Sequence, residues 1–247
     1  MLRIPHSIVW DDRLPPEDGK HVEDINRALS RLNELRALEI VVSGPFAQSK
    51  IAWKLAVYQH VLLHRIVALV DGVAVAWNNR STLAAMLSAR AFMETIALFY
   101  EFQRQATKHL GQEDLSELNK LSHGLYATRD EIWLAEHPED KATNILTYIN
   151  SFAKLADGFR GHYDMLSERC HANAQGHNFM FSRLDRTDGT VTFFDESDPK
   201  GNAHLILTAL IVLPLVEDIM AHLDGLMLKV AALQHRVSPR GGSRPKD

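Results

Sequence analysis

The chain has 247 residues, 46% of them apolar and 23% charged, a mix that excludes a fibrous or wholly disordered protein and is long enough to bury one large core without staples. Its formal charge is −4 with an isoelectric point near 6.3, which does not favour non-specific capture of a phosphate backbone. Cys170 is the only cysteine, so no intramolecular disulfide can form, and a reducing cytoplasm is the expected compartment.

Residues 1–19 show no hydrophobic period and contain Pro5, Pro15, Pro16 and Gly19, so an irregular lead-in is expected, without the apolar core of a signal peptide. A single helical domain is expected over 20–236. Its first helix carries Val22, Ile25, Leu29, Leu32, Leu35 and Leu38 at intervals of three or four, and should end at Ser43-Gly44-Pro45. A second helix, from about Ser49 to Trp77, is apolar around much of its circumference and should sit centrally. Ser81 then caps a third helix running to about His109.

The fourth helix is expected from about Asp114 to Ala135, before Pro138 forbids continuation. A fifth begins near Thr143 and bears the stripe Tyr148, Phe152, Leu155, Phe159, Tyr163, Leu166 and Cys170, with a bend at Asp157-Gly158. Residues 179–184 and 190–194, rich in aromatic and β-branched types around Asp188-Gly189, predict a β-hairpin that must pack on the helices. The last helix should run from Asn202 to about His235, kinked at Pro214, ahead of a disordered basic tail at 237–247. The class is therefore all-α, a bundle of about six helices with a hairpin before the last.

The longest apolar run, Leu205 to Val216, falls short of the roughly 18 residues that cross a bilayer, so no membrane association is expected.

Two polar groups interrupt this apolar pattern. On the third helix Arg90 and Glu94 share a face with Leu83, Leu87, Ala97 and Leu98, and at i, i+4 they can neutralise one another where an isolated charge would be costly. At the end of the fifth helix Ser167 and His171 are also i, i+4 neighbours, beside Tyr163. An imidazole at a helix C-terminus titrates near neutrality and suits an acid or base, and it equally serves as a cap. Arg90, Glu94, Tyr163, Ser167 and His171 are the candidate site, and the arginine, the acid and the imidazole are expected to meet in the core.

Other chemistry is thinly represented. His60 and His64 have chelating spacing, but Val61, Leu62 and Leu63 stand between them where a zinc protease helix has its glutamate. Cys170 lies on an apolar stripe and reads as a core thiol. No phosphate-binding glycine loop or nucleophile elbow occurs, and no cofactor or metal is expected.

The stretches Leu87-Ser-Ala-Arg90-Ala-Phe-Met-Glu94 and Tyr163-Asp-Met-Leu166-Ser167-Glu-Arg-Cys-His171 resemble a group of uncharacterised bacterial helical proteins with an Arg-x-x-x-Glu helix and a later Tyr-x-x-Leu-Ser-x-x-x-His motif. That group is distantly similar to HEPN domains, helical nucleotide-binding or RNA-cleaving modules of prokaryotic toxin and defence systems. The resemblance covers roughly residues 50–177 and implies a defence or regulatory module contacting RNA or a nucleotide, with Arg90 on phosphate and His171 moving a proton. RNA-cleaving HEPN domains place an Arg and a His with four to six residues between them near a helix end, a spacing that Arg160 and Arg169 do not make with His171. Arg104 and His109 fit the bare spacing only. The alternative reading is a non-catalytic module for protein–protein interaction or homodimerisation, with a purely structural polar cluster.

Overall fold

A computed structural model describes residues 2–237. The class is all-α: α1 (Gly19–Leu35), α2 (Lys50–Asn78), α3 (Thr82–Gly111), α4 (Leu115–Ser122), α5 (Glu131–Glu136), α6 (Ile145–Phe152), α7 (Phe159–Cys170), the single turn α8 (Phe179–Phe181), α9 (Pro199–Leu210) and α10 (Leu215–Val237). Ahead of α9 a hairpin pairs β1 (Ser182–Leu184) with β2 (Val191–Phe193), antiparallel, Arg183 opposite Thr192. The expected tail beyond Val237 lies outside the described residues.

The chain forms two compact units. One comprises the residues up to Arg36 with Leu63–Leu98 and Asn144–Asp218; the other comprises Ala37–Leu62, Phe99–Thr143 and the described residues from Ile219. In the first, α1 buries Val22, Ile25, Ala28, Leu29 and Leu32, a stripe at helical spacing. Phe92, Phe152, Leu166 and Leu210 of the same unit are fully buried, each side chain contributing roughly 1.5–3 kcal/mol. In the second, Tyr58 meets Phe102 edge-on at 4.9 Å, and Leu55, Leu118, Leu223 and Val230 are buried.

Several expected helices end early or divide. α1 stops at Leu35 because the apolar period fails there: Leu38 is 74% exposed, and the following Ile-Val-Val is a β-branched run with poor helix propensity. Asp114–Ala135 divides into α4, a 3-10 turn at His123–Tyr126, and α5, which Asp130 caps by accepting from the amides of Ile132 and Trp133. The fifth predicted helix is two, since Gly158 takes a φ of +76° that α-helix cannot accommodate, and its amide is held by the Asp157 carboxylate at 2.9 Å. At Pro214 the last helix breaks rather than kinks, giving α9 and α10.

The hairpin is more exposed than expected. β2 is exposed throughout and Phe193 is 78% exposed, so the ladder is held at its base, where Phe194 donates to the Phe181 carbonyl at 2.9 Å.

Three stretches, Lys50–Asn78, Thr82–Gly111 and Pro199–Val237, are long and apolar enough to cross a membrane by length and composition, although isolated charges such as Arg65 and Asp71 interrupt the run in the first. Half or slightly more of each apolar window is buried within the protein.

The irregular lead-in is firmly anchored. Arg13, only 5% exposed, pairs with Asp11 through Nε and Nη2 at 2.6–3.0 Å, donates to the Trp77 carbonyl at 2.9 Å and stacks 4.1 Å above the Trp77 ring. Arg13→Ala should strand Asp11 and that carbonyl, lowering stability by about 2–4 kcal/mol in urea denaturation, whereas Arg27→Ala on the surface should change it by less than about 0.5 kcal/mol.

Candidate functional site

α3 places Arg90 and Glu94 one turn apart on its less buried face. Ala85, Met86, Ala89, Phe92, Met93 and Ile96 are at most 1% exposed, whereas Leu87 on the charged face is 47% exposed. The Arg90 and Glu94 side chains are 25% and 26% exposed, so the pair sits at the edge of the core rather than inside it, correcting the expected full burial.

α7 brings Tyr163 to this pair. α7 begins beyond Gly158, and its first ring, Phe159, packs 4.5 Å from Phe152 of α6, so that the buried stripe Phe159, Tyr163, Leu166 continues at helical spacing. The Tyr163 hydroxyl donates to Glu94 Oε1 at 2.9 Å, and Arg90 Nε approaches the same oxygen at 3.3 Å as an ion pair without hydrogen-bond alignment. The guanidinium carbon lies 5.9 Å from the Tyr163 ring centre. One carboxylate oxygen is thus shared by a phenol and a cation.

The electrostatics follow from this geometry. Burial raises the Tyr163 pKa, and the adjacent Glu94 carboxylate raises it further, so the phenol stays protonated as a donor. Burial also opposes the Arg90 charge, but Tyr163 and Glu94 outweigh it and hold its pKa above the ordinary value. Burial pushes the Cys170 thiol up to about 11, against the pull of Arg90, so the neutral thiol expected from its apolar stripe is what the site contains.

His171 does not join them. It is exposed, its backbone is extended (φ −82°, ψ 149°), and among the described residues its ring is partnered by Ser167 alone, with Nε2 3.4 Å from Oγ. The extrapolation from Ser167 assumed that helical phase continues through His171, but α7 ends at Cys170 and the next side chain leaves the stripe. The chain then reverses tightly, for a Cβ on Gly176 would lie 1.8 Å from the His171 carbonyl oxygen. Asn173 closes the reversal by accepting from the amides of Gln175 and Gly176, both at 3.0 Å. Ser167 itself is 9% exposed. The five candidates therefore form two groups: Arg90, Glu94 and Tyr163 in mutual contact, and Ser167 with His171 at the helix end.

The other sequence candidates resolve separately. Arg104 gives Nε and Nη2 to Glu101 at 2.8 and 2.7 Å, so its guanidinium is drawn back along the helix, away from His109. His60 accepts the Ala37 amide at 3.4 Å. Neither His60 nor His64 belongs to a three-ligand group; among the described residues that arrangement is made by His123, Glu139 and Asp140, which lie in segments without a period that could single them out.

Comparison with known proteins gives no match to a family model, to a curated protein or to a solved structure.

His162, also on α7, offers a test of how the site's helix is seated. Its Nε2 contacts the Leu205 carbonyl of α9 at 2.9 Å, and burial lowers its pKa, only partly offset by that bond. The unfolded chain, with histidine near 6.5, therefore binds more protons than the folded one on the acid side of that value, so stability is full above pH 6.5 and falls as pH drops. Urea unfolding of His162→Gln across this range should show a shallower pH slope than wild type. An equal slope would place the titration elsewhere.

Proposed function

We propose that the protein is a non-catalytic helical module that acts by binding a protein partner or a second copy of itself, in the cytoplasm and away from membranes. The observation that carries this reading is the closure of the polar cluster: Glu94 accepts from Tyr163 and faces Arg90, while His171 stands apart and exposed. Acid–base catalysis needs a titrating group within hydrogen-bond reach of a substrate proton, and this cluster spends its groups on one another. Leu87, one turn before Arg90 on the same face of α3 and 47% exposed, supplies apolar surface beside it. The partial burial of each apolar helix window favours packing in the protein over contact with lipid.

The rival reading is a HEPN-like bacterial defence or regulatory module contacting RNA or a nucleotide. Its support is the permanently charged and one-quarter exposed Arg90 guanidinium, which has donors to spare for phosphate.

One variant series separates the two. Tyr163→Phe should lower stability by about 1–2 kcal/mol, because the hydroxyl that donates to Glu94 is lost, and Glu94→Gln, whose amide oxygen still accepts from Tyr163, should lower it by less than about 1 kcal/mol through loss of the ion pair with Arg90. His171→Ala should melt within about 0.5 kcal/mol of wild type. Under the proposal wild type neither binds nor cleaves single-stranded RNA at physiological salt, and sedimentation or pull-down reveals the self- or partner-association instead. RNA binding abolished by Arg90→Ala or His171→Ala in a normally melting protein would reverse the assignment.

A further inference from the structure

The segment between α4 and α6 has little core of its own: Ile132 is 85% exposed and Trp133 45%. It is closed by backbone instead. Thr128 donates to the Asp140 carbonyl at 2.8 Å and accepts from Ala142 at 2.9 Å, a single parallel bridge that draws the His123–Tyr126 turn beside the Pro138–Asp140 turn. His123 Nδ1 then lies 3.1 Å from Asp140 Oδ1. The Asp140 carboxylate is 5% exposed, and its other oxygen accepts the Trp133 indole N–H at 2.9 Å. Glu139 completes the group: one ligand atom each from His123, Glu139 and Asp140 fall within 4.8 Å of one another.

We propose that His123, Glu139 and Asp140 form a site for a divalent transition-metal ion, Zn2+ in the first instance. An ion about 2.1 Å from two ligands in octahedral or tetrahedral arrangement holds them about 3.0–3.4 Å apart, and the His123–Asp140 separation lies in that interval without rearrangement. An imidazole with two carboxylates suits Zn2+, Fe2+ or Mn2+ better than Ca2+, and the two negative charges balance the dication. The indole N–H fixes the orientation of the Asp140 carboxylate, the role that outer hydrogen bonds play around metal ligands. Glu139, half exposed at 52%, supplies the third ligand on the side open to solvent, and its Oε1 stands 3.8 Å from His137 Nδ1. Three protein ligands leave at least one position for water or another small ligand. On binding, the ion replaces the His123–Asp140 hydrogen bond: Nδ1 gives its lone pair to the metal and the ring keeps one proton, on Nε2. A doubly protonated ring must release a proton, so affinity falls in acid.

The test is titration of the purified full chain with Zn2+ against a chromogenic chelator, with Co2+ absorption as a spectroscopic check on a nitrogen ligand. Wild type should bind one ion in the micromolar range or tighter, and His123→Asn and Glu139→Gln should each weaken it by at least about tenfold. Glu139 is exposed, so Glu139→Gln should melt like wild type without metal, which separates lost ligation from lost folding. His60→Ala with His64→Ala should leave both stoichiometry and affinity unchanged. Equal affinity in wild type and both site variants, or wild-type binding no tighter than about 1 mM, overturns the proposal and leaves His123–Asp140–Trp133 as a loop lock alone.

Discussion

A tyrosine hydroxyl seated on a glutamate ties α7 to α3, and the character of the candidate site follows from that bond. Tyr163 is 3% exposed, so its hydroxyl needs a partner or forfeits its hydration, a loss of about 1–3 kcal/mol. Glu94 supplies the partner, and Arg90 compensates the carboxylate charge. Each group makes the other two tolerable at the edge of an apolar core. Burial together with this closure governs reactivity, keeping Tyr163 protonated and Arg90 charged, while burial alone overcomes the pull of Arg90 and keeps Cys170 a neutral thiol.

Carboxylates play the corresponding part wherever the backbone is irregular. Asp71 of α2 accepts the His6 amide at 2.7 Å and its ring nitrogen at 2.8 Å, and pairs with Arg3, holding the first residues down. Glu196 accepts from Thr82 at the start of α3 and from the fully buried Asn202 of α9, which fixes the chain leaving the hairpin. Asp11 locks Arg13 over Trp77, and Asp140 joins His123 to Trp133. Asp140 is held below the usual carboxylate range, chiefly by the Trp133 bond, and Asp71 is too, the burial that raises it being outweighed by its His6 bonds and the Arg3 charge together; both joints therefore tighten above that range and loosen in acid.

What was legible in the sequence was what repeats. The stripe of α1, the hairpin around Asp188-Gly189, the pairing of Arg90 with Glu94 and the inward face of Tyr163 all rest on periods of 3.6 or 2, or on turn chemistry. Helix ends were harder. Leu38 continues the spacing of α1 yet lies outside it, because spacing records which face would be buried and not whether a neighbour is there to bury it. His171 fails for the same reason at the end of α7. His123 and Asp140 gave no signal at all: they are 17 residues apart in non-periodic segments, and a one-residue bridge at Thr128 brings them together.

The two polar centres differ in how much chemistry they leave available. Around Glu94 the groups are already matched, a phenol and a guanidinium to one carboxylate, and the exposed imidazole lies beyond their reach. Recruiting them for proton transfer would mean breaking the bond that seats α7. Around Asp140 one buried carboxylate oxygen is anchored by an indole, the other faces an imidazole, and a second carboxylate, Glu139, stands half exposed 3.8 Å from His137. An ion entering there exchanges the His123–Asp140 hydrogen bond for two metal–ligand bonds and leaves the Trp133–Asp140 bond in place. Chemistry in this protein is therefore better sought among residues 123–140 than at the cluster the sequence singled out, and the Arg90–Glu94–Tyr163 arrangement is better understood as the joint that positions α7.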